Sequence, residues 1–207
     1  MSAPKGVVYI VEDDPSFRKS MERLIRASGY EVVACKSANS FLAQAPIQHP
    51  GCLLLDVQLP DIDGLRLQRE LIEKGIRLPI VFMTGHGTIP MSVQAMKDGA
   101  VDFLPKPFKT KDLLSAIVKG LERDTHNVQE EFRKDQINAL MDSLTPREKE
   151  VLRWIIAGNL NKQIAYELGI SERTVKAHRS QIMQKTKVSS VAELVRLAEK
   201  VNISPAD

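Results

Sequence analysis

Cys52-Leu53-Leu54-Leu55-Asp56 is a short apolar run closed by a carboxylate. Three other runs in the first half of the chain share its form. Val7-Val8-Tyr9-Ile10-Val11 ends on Glu12 and Asp13, Ile80-Val81-Phe82-Met83 on Thr84, and Asp102-Phe103-Leu104-Pro105 on Lys106. Runs of this length, separated by helix-like segments, read as buried parallel strands. The open face of such a sheet lies at the carboxyl ends of its strands. The spacing therefore predicts that three carboxylates, a hydroxyl and an ammonium converge at one edge, a set suited to a divalent metal and a phosphoryl group.

Working outward, strands and helices alternate from Val7 to about Glu122. Pro15-Ser16-Phe17-Arg18 opens a first helix carrying Phe17, Met21, Leu24 and Ile25 at helical spacing, with a stop at Gly29. Glu31 to Cys35 is a further strand, followed by a helix through Phe41 and Leu42. Helices are also expected at Leu65 to Lys74, from Pro90 to Lys97, and from Thr110 or Lys111 through Leu121. Five βα units imply an α/β doubly wound, five-stranded parallel sheet of the flavodoxin-like kind.

Residues 123–143 show no strand pattern and no Pro. Val128, Phe132, Ile137 and Leu140 keep a loose helical rhythm, so this linker is expected to be helical and to continue the preceding helix past Gly120, where an isolated Gly costs only about 1 kcal/mol relative to Ala. From Leu144 the pattern is wholly helical. Thr145 is the expected N-cap, Pro146 the first helical residue and Glu148 the third of a helix to Ala157. Asn161 is expected to cap a helix from Lys162 to Leu168. Ser171 caps one reaching about Lys185, and Ser189 or Ser190 starts one from Val191 to Lys200. The expected division is thus 1–122, a linker over 123–143, and an all-α four-helix domain over 144–207.

Charge supports that division. The chain carries +3 in all, yet Leu144 to Asp207 holds eleven Lys and Arg against seven Asp and Glu, leaving −1 for the rest. The basic excess belongs to the helical domain, where a polyanion is the expected partner. Cys35 and Cys52 form no CxxC pair and read as small apolar residues of a reduced protein. Met1 to Gly6 lack an apolar signal core, and no run approaches the ~18 apolar residues of a membrane span. A cytoplasmic protein with no membrane partner is expected.

The acidic set has a definite chemistry. Oxygen ligands in a cluster suit Mg²⁺. Asp56 is the expected nucleophile, since attack of a carboxylate on a phosphoryl donor gives an acyl phosphate. Charge spread over the equatorial oxygens then needs a metal and a cation, and Lys106 is that cation. Thr84 can donate its hydroxyl to a phosphate oxygen.

Glu12-Asp13, the Leu53 to Gly64 stretch, Met83-Thr84-Gly85-His86-Gly87 and Phe103-Leu104-Pro105-Lys106-Pro107-Phe108 together resemble a response-regulator receiver domain over roughly residues 5 to 124. The resemblance implies that Asp56 accepts phosphate from a sensor histidine kinase. It implies that Glu12, Asp13, Asp56 and the backbone carbonyl of Gln58 bind Mg²⁺, that Thr84 and Lys106 contact the phosphoryl group, and that Thr84 and Phe103 form the switch. It also implies a cis Lys106-Pro107 bond. Glu12 stands where Asp is commoner, and both supply oxygen.

In the helical domain the second helix joins the third through Gly169-Ile170, a helix-turn-helix arrangement that places the later helix in the DNA major groove. Arg173, Lys176, Arg179 and Lys185 lie on that helix, with Val175, Ile182 and Met183 facing inward. Leu144-Thr145-Pro146-Arg147-Glu148, Gly158 to Ala165, Leu168-Gly169-Ile170-Ser171 and Thr174-Val175-Lys176-Ala177-His178-Arg179 resemble the LuxR-type DNA-binding domain over about residues 140 to 203. By that resemblance Lys176, Ala177 and Ser180 face the groove, and Thr174, Arg179, Asn161 and Lys185 contact phosphates. His178 reads as a packing or phosphate contact, Trp154 and Leu168 as core, and Val191 to Lys200 as a dimerisation helix.

The two resemblances in this order point to the FixJ-like branch of two-component response regulators. The function they imply is a non-enzymatic, phosphorylation-controlled, DNA-binding transcriptional regulator, forming a homodimer when phosphorylated, with promoter DNA, a histidine kinase and RNA polymerase as partners. Two alternatives stand beside it. A haloacid-dehalogenase-like phosphatase also uses a strand-end Asp, but wants a second Asp where this chain has Gln58. A phosphorylation-independent regulator with a vestigial receiver would not need the full phosphoryl-site set.

Overall fold

The computed structural model describes residues 6–44, 46–85 and 88–206. They divide into two compact units at Gln129/Glu130.

The first unit is built on five strands: β1 (Val7–Val11), β2 (Glu31–Cys35), β3 (Gly51–Asp56), β4 (Ile80–Thr84) and β5 (Asp102–Pro105). All pairings are parallel and the order is β2-β1-β3-β4-β5. Helices α1 (Pro15–Ala27), α2 (Ala38–Leu42), α3 (Gly64–Glu73) and α4 (Ile89–Lys97) connect them, and α5 (Thr110–Asp142) follows β5. Alternation of side chains along each strand divides the core into two layers. Tyr9, Val11, Leu53, Leu55 and Phe82 pack on one face with Phe41 of α2 and Leu67 and Leu71 of α3. Val8, Ile10, Leu54, Val81 and Met83 pack on the other with Met21 and Ile25 of α1 and Leu113 and Ile117 of α5. Burial on both faces explains why the strands read as unbroken apolar runs.

Register positions the chemistry. Val11 pairs with Leu55, so the next residues, Glu12 and Asp56, stand side by side at the carboxyl edge. Thr84 pairs with Pro105, which puts Lys106 one step beyond it. The β1/β3 neighbourhood is where the strand order reverses, the crevice in which open α/β sheets bind ligands.

α5 is a single helix of 33 residues that includes the expected linker up to Asp142. Gly120 does more than interrupt its propensity. A Cβ there would stand 2.5 Å from Cys52 Sγ, so glycine allows the helix to approach β3. One turn later the buried Asp124 accepts the Gly51 N–H at 2.7 Å and meets His49 Nδ1 at 2.6 Å.

The second unit adds α6 (Pro146–Ile156), α7 (Asn161–Leu168), α8 (Glu172–Thr186) and α9 (Val191–Lys200). Thr145 caps α6 as expected: its hydroxyl accepts the Glu148 N–H at 3.2 Å and the Glu148 carboxylate accepts the Thr145 N–H at 2.8 Å. Asn161 is not a cap. It is the first residue of α7; Leu160 holds the cap position, and its N–H donates to Gln163 Oε1 at 2.8 Å. Gln163 thus supplies the polar partner that Leu160 lacks. Gly169 closes α7 at φ +62°, a left-handed turn that favours glycine and reverses the chain into α8. Ile137, Met141, Val151, Leu152, Ile155, Ile164, Val175, Ile182 and Leu194 form the core, with Trp154, Leu168 and Met183 half-buried against it.

Candidate phosphoryl and metal site with a DNA-binding helix

Glu12 and Asp56 are buried and Asp13 is exposed, and one oxygen from each lies within 4.8 Å of the others. Lys106 Nζ donates to Glu12 Oε2 at 2.7 Å and Asp56 Oδ2 at 2.6 Å. It also stands 4.4 Å from the centre of the Phe17 ring, which stacks edge-on against Phe108. Three carboxylates and one ammonium leave two uncompensated negative charges. At this separation each like-charge pair repels by about 3 kcal/mol near a protein surface. A divalent cation offsets that charge, so the donor set fits a hard, oxygen-loving ion such as Mg²⁺.

The electrostatics agree. Burial, with Asp56 beside it, pushes the Glu12 carboxyl above the ordinary range against the pull of Lys106. Burial works against the Lys106 ammonium, but hydrogen bonds to Asp56 and Glu12 outweigh it and hold the group above its ordinary value. Lys106 therefore stays charged.

Thr84 is buried at the end of β4, and its carbonyl accepts the Lys106 N–H at 2.7 Å. The Lys106-Pro107 bond is cis. Phe103 is half-buried, its ring 6.1 Å from that of Phe82. Gln58 is exposed and its N–H donates to Asp56 Oδ1 at 3.1 Å. Gly64 is forced by contact: a Cβ there would lie 2.5 Å from the Asp56 carbonyl oxygen. His86 and Gly87 of the Thr84 motif lie outside the described residues.

Sequence reading missed Arg18. Its guanidinium donates to the carbonyls of Glu12 at 2.6 Å and Asp13 at 3.0 Å, holding the loop that carries both acids. A signal existed: a cation in the first turn of a helix opposes the helix dipole, so Arg18 needed another reason to be there.

On α8, Lys176, Ala177 and Ser180 are exposed and lie along one stripe by their spacing. Thr174 and Arg179 are half-buried, and the Thr174 hydroxyl sits 2.8 Å from Ser171 Oγ in the helix cap. Asn161 is half-buried at the start of α7. Lys185 departs from expectation. Its ammonium is directed at Glu148 Oε2, 2.7 Å away on α6, so it joins two helices of the core instead of presenting a free cation to phosphate.

Residues 8–118 match the response regulator receiver domain family, and residues 142–198 the luxR family of bacterial regulatory proteins. The chain belongs to the response-regulator family. Nodulation protein W of Bradyrhizobium diazoefficiens is 44% identical over 203 residues, covering 98% of this chain and 89% of that protein. Transcriptional regulatory protein FixJ of Rhizobium meliloti is 41% identical over 202 residues, 96% of this chain and 98% of that one. Among solved structures, response regulator StyR is 47% identical with a TM-score of 0.80, covering 96% of this chain and all of that one. Full-length FixJ from B. japonicum is 38% identical with a TM-score of 0.59, covering 97% and 98%.

As a response regulator with a receiver and a LuxR-type domain, the protein is a phosphorylation-controlled, DNA-binding transcriptional regulator of a two-component system, not an enzyme. A receiver implies a histidine kinase as partner, and a LuxR-type domain implies DNA. Nothing in these relationships favours a vestigial receiver. No helix among the described residues is long and apolar enough to cross a membrane.

Proposed function

We propose that Asp56 is the phosphoacceptor. The observation that carries this is the convergence of Lys106 Nζ on Asp56 and Glu12 at the carboxyl edge of the sheet. An Asp56 oxygen attacks phosphorus, the bond from phosphorus to the donor imidazole breaks, and the imidazole leaves with the electron pair. Lys106 then turns its ammonium from the carboxylate to a phosphoryl oxygen, and Thr84 donates its hydroxyl to another. Glu12, Asp13, Asp56 and the Gln58 carbonyl would hold Mg²⁺, which supplies neutralisation of the phosphoryl charge.

Movement of Thr84 toward the phosphoryl group draws Phe103 inward and alters the face made by α4 and β5. Ile89, Val93 and Met96 form an exposed apolar stripe on α4, a surface suited to a second copy of the receiver. Pairing brings two DNA-binding units to one promoter and raises affinity through effective concentration. Lys176, Ala177 and Ser180 meet base edges, with Thr174, Arg179 and Asn161 at phosphates. The α9 helix adds a dimer contact on DNA, and RNA polymerase is the partner recruited there. The protein works in the cytoplasm.

Treatment with acetyl phosphate and Mg²⁺, followed by sedimentation and promoter binding, tests this reading. Dimerisation and tighter DNA binding are expected in the native chain and absent in Asp56→Asn. Dimerisation of that variant at the native level would overturn it.

A further inference from the structure

The chain between β3 and α3, residues 57–63, contains Gln58 and so presents one of the groups assigned above to Mg²⁺. Its ends are fixed by the sheet and the helix: the Val57 N–H donates to the Met83 carbonyl at 3.1 Å and the Gly64 N–H to the Val57 carbonyl at 2.9 Å. Leu59 and Ile62 pack partly on the core below. The crown of the loop has a further tie that lies outside the metal cluster and the phosphoryl contacts. Asp61 reaches a different βα unit, where Oδ2 accepts the Asn39 N–H at 2.9 Å and Oδ1 the Ala38 N–H at 3.3 Å.

Those two N–H groups open α2 and have no partner within the helix. Ser37 caps only the next one, its hydroxyl accepting the Ser40 N–H at 3.2 Å. α2 is itself held by Phe41, which is buried and packs edge-on against Tyr9 of β1. The tie therefore runs from a buried anchor to the middle of the metal-side loop, and it is charge-assisted.

We propose that Asp61 is a positioning residue: by fastening the Gln58 loop to the start of α2, it preorganises the metal site and sets the concentration of Mg²⁺ at which Asp56 can be phosphorylated. The inference rests on the assignment of Asp56 and Gln58 made above. Leu59 and Ile62 keep the loop on the core without Asp61, so the expected loss is of aim and not of fold. Groups that orient metal ligands from outside commonly change affinity by about tenfold or more. Asp61 is exposed, so its effect belongs at or below that figure.

The test uses the full chain and Mn²⁺ alone, with free Mn²⁺ read by electron paramagnetic resonance. Asp61→Ala should weaken Mn²⁺ about three- to tenfold. Asp61→Asn should weaken it less, since an amide oxygen can still accept one of the two N–H groups. The Mg²⁺ needed for half-maximal phosphorylation by acetyl phosphate should rise by the same factor, with the extent at saturating Mg²⁺ unchanged. If Asp61→Ala does not fold, the graded effect of Asp61→Asn decides the matter. Lower thermal stability with unchanged Mn²⁺ affinity in either folded variant would overturn the inference and leave the Asp56 assignment standing. Failure of the native chain to bind Mn²⁺ or to be phosphorylated would overturn the assignment, and the inference with it.

Discussion

Lys106 Nζ lies 2.6 Å from Asp56 Oδ2, although fifty residues separate them in the chain. The contact exists because β3 and β5 flank β4 in one parallel sheet and end on the same edge. It joins the expected nucleophile to the expected sensor of its phosphate.

Replacing Lys106 by Met keeps most of the stem and removes two charge-assisted hydrogen bonds, each worth about 1.5–3 kcal/mol. Phosphorylation by acetyl phosphate should slow by at least about tenfold. Three carboxylates are then left without their ammonium, so the variant should melt at lower urea in chelator and recover more on adding Mg²⁺ than the native chain does. Phosphate-affinity gels and urea titrations with and without Mg²⁺ check both outcomes.

Lys176 and Lys185 should behave differently although both are lysines of α8. Lys176→Ala removes an exposed cation and should lower the slope of log affinity against log salt by about one. Lys185→Ala breaks the pair with Glu148 and should destabilise the helical unit while leaving that slope unchanged. Binding of the two variants to one DNA fragment across a salt series separates them.

The same pair sets a pH dependence. Burial works to raise the Glu148 carboxyl, but Lys185 and the N–H of Thr145 outweigh it and hold the group below the ordinary glutamate range. A depressed folded value means that the contribution is present in full above the unfolded value and is lost as pH falls through the folded one. Stability of the helical unit should therefore decline below about pH 4.5. Glu148→Gln keeps an oxygen for the Thr145 N–H but loses the charge facing Lys185, and should lose about 1 kcal/mol near neutrality and show a flatter decline in acid. Urea melts followed by Trp154 fluorescence give both numbers.

Gly120→Ala should destabilise the chain even though Ala is the better helix former by about 1 kcal/mol. The new methyl would sit 2.5 Å from Cys52 Sγ, and overpacking of that kind costs about 1–3 kcal/mol. Thermal melts should show a net loss, recovered largely in the Gly120→Ala, Cys52→Ala double variant.

What the sequence made legible follows from period and position. Four apolar runs ended on chemically active side chains, and parallel strands deliver such ends to one edge, so the meeting of Glu12, Asp13, Asp56 and Lys106 there was legible. The helical character of residues 123–142 followed from the absence of breakers. Gly120 was read only as a tolerated cost, because its reason is Cys52 on another element. The pairing of Lys185 with Glu148 was not legible, because a long, flexible side chain turns to whichever neighbour the tertiary packing supplies. Asn161 looked like a cap by residue type, whereas Leu160 holds that position by backbone conformation and borrows Gln163. Arg18 and Asp61 were missed for a shared reason: each acts on backbone groups, Arg18 on the carbonyls of Glu12 and Asp13 and Asp61 on the N–H groups that open α2, and backbone partners leave no mark in composition.

The most direct measurement is mass spectrometry of the full chain after acetyl phosphate and Mg²⁺, with the modified peptide sequenced. One phosphoryl group is expected on the peptide that contains Asp56, absent when Mg²⁺ is chelated and absent in Asp56→Asn. A phosphoryl group on another residue, or undiminished labelling of Asp56→Asn, would contradict it.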